Sequence, residues 1–264
     1  MLKAILTFDV EEFDVPLEYG QQITMEEQIE VSTRGTLLLK ALLDKHQVKS
    51  TIFCTGQYAL SQPELLKTLA EKHEIASHGM YHSSFDAKVD LPASKKLLSQ
   101  ITGQSVEGFR MARMMPVENQ DIADAGYVYN ASLNPTFLPG RYNHLDKPKL
   151  PFVQDRLWQI PATVTPNLRF PMFWLSFKNL PFSVYKMFSN SALNRYGIIN
   201  LYFHPWEFTD LSAYTTIPAY VRKHSDRVLL QRLDDYITWL KAKGVTFITM
   251  KEYVEELKLK SNTK

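Results

Sequence analysis

Leu2-Lys-Ala-Ile-Leu-Thr-Phe8 leads straight into Asp9-Val-Glu-Glu12, a mostly apolar run that ends on a cluster of carboxylates. A run this short and this apolar reads as a buried strand, which puts Asp9 at its C-terminal end. The same pattern returns in His73-Glu-Ile-Ala-Ser-His-Gly-Met-Tyr-His82, where residues 74–77 form a second strand candidate and His78 stands at its end. Chemically capable side chains at the C-terminal ends of successive strands are how an α/β barrel assembles an active site.

The rest of the chain alternates in the same way. Residues 32–46 carry apolar positions at 37, 38, 41, 42 and 43, so they read as an amphipathic helix with Ser32 or Thr33 as N-cap. Ser50-Thr-Ile-Phe-Cys-Thr-Gly56 reads as a strand ending in a glycine turn, and residues 63–72, with proline in the first turn, as the next helix. Helices are expected at 92–102, 117–125 and 226–243, and strands at 106–110, 127–131, 198–204 and 245–249. Such alternation favours a parallel sheet with crossover helices. The expected layout is one domain over residues 1–257 and a polar, frayed tail over 258–264.

Composition narrows the function classes. With 264 residues, 45% of them hydrophobic, the chain can bury one full core, and its net charge of +2 argues against nucleic-acid binding driven by bulk charge. The single cysteine, Cys54, lies in an apolar strand and reads as a buried structural thiol. No basic segment followed by an apolar one opens the chain, so a cytoplasmic location is the simplest expectation.

His78 and His82, four residues apart, can present two imidazole nitrogens to one cation. A carboxylate from the cluster at 9–12 would complete a three-ligand site open to water, the makeup of a hydrolytic metal centre.

Five stretches in this order resemble a known family: Thr7-Phe-Asp-Val-Glu-Glu12, Ser50-Thr-Ile-Phe-Cys-Thr-Gly56, Glu74-Ile-Ala-Ser-His-Gly-Met-Tyr-His82, Gly108-Phe-Arg110 and Leu201-Tyr-Phe-His-Pro-Trp-Glu207. They look like the motifs of the polysaccharide deacetylases, the NodB-homology proteins of carbohydrate esterase family 4. The resemblance spans roughly residues 2–250 and is poor in the middle third. It implies a distorted (β/α)7 barrel of the glycoside hydrolase/deacetylase type, a divalent metal, most commonly zinc, and hydrolysis of N-acetyl groups on amino sugars.

Position by position, the resemblance makes Asp9 the catalytic base, His78 and His82 metal ligands, Arg110 the partner of the base and His204 the general acid. Arg113 is a nearby substitute for Arg110. The family's usual first motif has a second aspartate where this chain has Val10. In an extended segment residues 9 and 11 point to one side and 10 to the other, so Glu11 is the better placed ligand and Glu12 the fallback. Trp206 is expected as a wall of the substrate site and Glu207, or else Asp155, as the group orienting His204. Backbone N–H groups near Tyr81, His82 and Ser83 are candidates for the oxyanion.

Between residues 165 and 190 come Phe170, Met172, Phe173, Trp174, Phe177, Phe182, Tyr185, Met187 and Phe188, interleaved with Arg169, Lys178 and Lys186. Two readings stand: a helical cap packed into the core, or a face over 170–188 making peripheral contact with a membrane. A cytoplasmic location favours an amino sugar on a lipid or nucleotide carrier, and the second reading leans this towards lipid. Two other classes share the motif pattern: a cyclic-amide hydrolase of the allantoinase kind, and a catalytically silent carbohydrate-binding protein in which Val10 marks loss of the metal.

Overall fold

The computed structural model describes residues 1–261. Among them, seven parallel strands follow one another round a curled sheet: β1 (Lys3–Val10), β2 (Thr51–Cys54), β3 (Glu74–Ser77), β4 (Gly108–Phe109), β5 (Tyr129–Asn130), β6 (Leu157–Gln159) and β7 (Ile198–Phe203). β1 is the central member. One edge runs along β7 from Lys3↔Ile198 to Phe8↔Phe203, and the other meets β2 from Thr7↔Thr51 to Val10↔Cys54.

The seam between β6 and β7 is bridged by irregular chain. Thr163 N–H donates to the Asn200 carbonyl at 2.9 Å, and Asn200 N–H donates to Thr163 Oγ1 at 2.7 Å. This is the distorted (β/α)7 barrel, with one side closed by single hydrogen bonds where a regular ladder would run.

Alternation along β1 divides the core in two. Ala4, Leu6, Phe8 and Val10 face outward and pack under the helices with Leu39, Leu42 and Leu43. Ile5 faces inward with Phe53, Ala76, Tyr129 and Ile160, over a floor made by Met250 and Val254. Asp9 and Glu11 share the inward register of Ile5 and lie at its open end, so a period of two aims both carboxylates into the barrel.

The helices differ from the sequence expectation at their ends. The first long helix runs Met25–His46, beginning seven residues before Ser32. Thr24 is its N-cap, accepting from Glu27 N–H at 3.1 Å. Ser32 is instead buried, and its hydroxyl donates to the Glu11 carbonyl. Gly35 on the same helix allows the chain after β7 to come close, because a Cβ there would stand 1.9 Å from the Pro205 carbonyl oxygen. The helix expected from 92 begins at Ala87 behind the Asp86 cap, with Pro92 inside it.

The final strand is short, Thr246–Phe247, and a helix follows it, Met250–Ser261. Residues 258–261 are therefore its last turn and not a frayed tail, and 262–264 lie outside the described residues. No helix among the described residues is long and apolar enough to cross a membrane.

The aromatic segment is turned inward. Phe173, Phe177 and Tyr185 are buried, and the Phe177 ring lies 5.0 to 6.4 Å from those of Tyr185, Phe203, Tyr236 and Phe182. Phe173, Phe177 and Tyr185, within the face expected to meet a membrane over 170–188, are thus core contacts, whereas Met187 is exposed.

Candidate metal centre and acid–base site

Glu11, His78 and His82 come together at the C-terminal mouth of the barrel, each offering a ligand atom within 4.8 Å of the others. Glu11 Oε2 is 3.0 Å from His78 Nε2 and 3.2 Å from His82 Nε2. The opposite nitrogen of each ring is already engaged. His78 Nδ1 meets the Arg110 carbonyl at 2.8 Å, and His82 Nδ1 meets Asp14 Oδ1 at 2.7 Å. A backbone carbonyl can only accept, so His78 carries its proton on Nδ1 and leaves the Nε2 lone pair facing Glu11; the Asp14 carboxylate favours the same tautomer in His82.

Glu11 Oε1 accepts from the indole N–H of Trp206 at 3.2 Å, whereas Oε2 is buried without a hydrogen-bond partner. Two imidazole lone pairs and an orphaned carboxylate oxygen converging on one point fit a divalent metal, and this donor set suits zinc. Val10 is buried among outward-facing apolar residues, whereas Glu11 faces the two histidines. Glu12 points elsewhere, accepting from the Thr55 hydroxyl and from His82 N–H, and burial pushes its carboxyl above the usual range.

Asp14 is a functional candidate that the sequence reading missed. Its other oxygen accepts from Arg113 at 2.8 Å, so Arg113 braces Asp14 behind His82 and is not the residue that pairs with Asp9. Arg110 pairs with Asp9 as the resemblance implies. Its Nη1 donates to Asp9 Oδ1 at 2.6 Å and to Thr7 Oγ1 at 2.8 Å, and its guanidinium carbon stacks 4.1 Å over the Phe53 ring.

His204 follows β7 and faces Asp9 across the cavity, with 3.9 Å between Nε2 and Asp9 Oδ2. Glu207 Oε1 takes both its backbone N–H at 2.9 Å and its Nδ1 at 3.1 Å. Glu207 is fully buried, does not line the cavity and has its carboxylate turned to His204. Asp155 is far from this role, meeting Asn119 at an exposed turn. Tyr81 is 42% exposed and outside the cavity lining, so its side chain is not brought to the site. Trp206 is the expected wall and also stacks on His204, with centroids 5.0 Å apart.

Burial opposes the charges on Glu11, His82 and His204, and their partners decide the outcome. Burial would raise Glu11, but His82, His204 and His78 hold it well below the usual carboxylate range. Burial pulls His82 down, and Glu11 and Asp14 overcome this to lift it to about 9. His204 is likewise raised, its burial outweighed by Glu11, Glu207 and Asp9. Cys54, by contrast, is a buried thiol pushed up by burial, as a structural residue should be.

The cavity over these groups holds about 280 Å³. Tyr202, Phe173 and Trp174 wall it on one side, and Leu138, Arg141 and Tyr142 of the hairpin 137–143 on another. It adjoins an open groove of about 810 Å³ that shares Glu18, Arg113, Met114, Arg141 and Tyr142 with it and continues past His144 and Lys147.

In fold, and over part of its sequence, the chain is similar to the polysaccharide deacetylases. The model of the polysaccharide deacetylase family matches residues 23–114. A chitooligosaccharide deacetylase from Bradyrhizobium sp. (strain ANU 289) is 45% identical over 42 residues, a match that spans 16% of this chain and 19% of that relative. The fold is shared with a protein described as a polysaccharide deacetylase from Mycobacterium smegmatis, at TM-score 0.65 and 18% identity, covering 98% of this chain and 91% of that one. The Puue allantoinase has it too, at TM-score 0.66 and 15% identity, covering 95% and 88%.

Proposed function

We propose that this protein is a metal-dependent N-deacetylase acting on an amino sugar. One arrangement carries the reading: the Glu11, His78 and His82 donors face the Asp9–Arg110 and His204–Glu207 pairs across a single cavity. When bound by the three donors, a metal supplies a Lewis acid that polarises the amide carbonyl and acidifies a water. Asp9, oriented by Arg110, takes the water's proton. His204, protonated and held by Glu207, delivers a proton to the departing amine. Fixing both pairs in a buried site removes the need for them to reorganise during the reaction.

The substrate reading follows from shape and charge. A cavity of about 280 Å³ is at the small end of ligand pockets, roughly 300–1,000 Å³, so it suits one sugar ring with its acyl group. The adjoining groove is lined by Glu18, Arg113, Arg141 and Lys147; Arg113 is paired with Asp14 and Glu18, so Arg141 and the exposed Lys147 are the cations that suit an anionic carrier attached to that sugar. A cyclic-amide hydrolase would have little use for such a groove, which favours the sugar reading over the allantoinase one. The complete donor set likewise favours an enzyme over a silent binding protein.

The test is metal analysis of the purified protein together with acetate release from N-acetylhexosamines presented free, as oligomers, on nucleotides and on lipid diphosphates. Metal-dependent release is expected, greatest on a carrier-linked sugar. Turnover of allantoin without acetate from any sugar would overturn the proposal.

A further inference from the structure

Beneath His204 lies a charged pair of which one member, Lys178, has no part in the chemistry above. Lys178 Nζ is 3.1 Å from Glu207 Oε2, and both side chains are completely shielded from solvent. The contact is ionic rather than a well-aligned hydrogen bond, because Oε2 has no hydrogen-bond partner of its own. The ammonium also donates to the Val221 carbonyl at 2.8 Å and to Ser225 Oγ at 3.2 Å, and sits 5.4 Å from the Trp174 ring centroid. Withdrawing two charges from water is costly, and well-packed apolar residues would commonly serve stability at least as well. Here the pair ends on a working group, since the other oxygen of Glu207 holds His204 through two N–H groups.

We propose that Lys178 is a positioning residue for His204, acting through Glu207: its buried ammonium keeps the Glu207 carboxylate ionised and fixed, so that the carboxylate sets the proton and the tilt of the imidazole. The inference rests on the reading of His204 as the acid of an amide hydrolysis. It goes beyond that reading by assigning a role to a lysine outside the motif stretches.

The sign of the effect separates this role from its alternatives. The charged groups facing His204 are Asp9 and Glu11 from β1 and its near extension, and Glu207 from its own turn; Lys178, from the helix Trp174–Asn179, stands behind Glu207. Were Lys178 only a nearby cation, its removal would strengthen proton binding at His204. Acting through Glu207, its removal does the reverse, because an unpaired buried carboxylate takes up a proton and ceases to stabilise the imidazolium. Burial already opposes the charge on both partners: it pulls Lys178 below its ordinary value, and Glu207 stays low only through the Lys178 cation and His204.

The experiment is the pH profile of kcat/KM for the metal-loaded full chain carrying Lys178→Met, Lys178→Arg, Glu207→Gln or Lys178→Met with Glu207→Gln. In parallel, NMR titration follows the His204 ring. Expected is a high-pH limb, and a His204 titration, moved down by about one pH unit or more in Lys178→Met. KM should be nearly unchanged, and Lys178→Arg should restore most of the shift. On the Glu207→Gln background Lys178→Met should move neither readout further. A limb that stays or moves up, or an equal shift on the Gln background, overturns the role. If Lys178→Met alone does not fold, the comparison of Glu207→Gln with the double variant decides. If no substrate is deacylated, the function reading fails, and the NMR titration still tests Lys178.

Discussion

Asp14 gives the sharpest test of how the site is built, because it touches the metal centre only through His82. Its carboxylate is 3% exposed and accepts at 2.7 Å from the ring nitrogen opposite the proposed ligand atom. Asp14→Asn keeps the volume and a possible acceptor but removes the charge that raises the basicity of the imidazole, and it takes a carboxylate from Arg113. Partners of this kind are worth about 10- to 100-fold in metal affinity, which is about 1.4–2.7 kcal/mol. Zinc affinity, measured by competition against a chromophoric chelator near neutral pH, should fall by that factor with little change in circular dichroism. Glu12→Gln is the control. Glu12 is equally buried but meets only Thr55 and the His82 backbone, so its affinity should stay within about threefold of the parent. An unchanged affinity in Asp14→Asn, or a larger loss in Glu12→Gln, would refute the reasoning.

The remaining predictions concern roles, packing and pH. Asp9→Asn should retain metal and lose about 10²- to 10⁴-fold in rate, whereas Glu11→Gln should weaken metal binding first; the opposite pattern in paired metal and rate assays would exchange the two roles. Phe177→Ala should cost about 3–5 kcal/mol in denaturant unfolding, since the ring is fully buried among four other rings. A negligible loss, together with weaker vesicle binding, would instead restore a surface role for this segment. Burial holds His73 down at about 4 against an ordinary 6.5, so its contribution to stability is complete above pH 6.5 and is lost as the pH falls towards 4. The loss should reach roughly 3 kcal/mol and be absent from His73→Gln, so equal acid sensitivity of the two proteins would count against it.

Legibility tracked the strength of the local pattern. β1, β2 and β7 are largely apolar runs and β3 is a short buried one, and each forms close to where its sequence places it. β4 and β5 shrink to two residues each, because the barrel needs only a short crossing there and the flanking residues turn to other work. Arg110, expected within a strand, instead leaves it to reach Asp9. The hairpins at 137–143 and 152–159 have strands of only two or three residues, and the helix Met250–Ser261 is rich in Glu and Lys; none of the three has a periodic apolar signal strong enough to read. The start of the helix Met25–His46 was legible in principle, because Thr24 with Glu27 three residues on has the spacing of a capping box.

Within the site, what the sequence could reveal were the residues set by register, and what it hid were those set by distant contacts. Asp9 and Glu11 follow from alternation along one strand, and His78, His82 and Arg110 from strand ends. Asp14 meets His82 across 68 positions and Trp206 meets Glu11 across 195, and no local pattern encodes either contact. Lys178 is the instructive case. Its charge suggested a polar flank of an apolar membrane face, yet it lies beside Phe177 and four residues after Trp174, on one side of the same helix. The next helix repeats the geometry, with Tyr185, Ser189, Ala192 and Leu193 buried at helical spacing and Met187 exposed on the other side. A lysine inside the apolar stripe of a short helix has to find a buried anion or break the packing. Periodicity thus locates the charge in the core, and only the fold supplies its partner, Glu207.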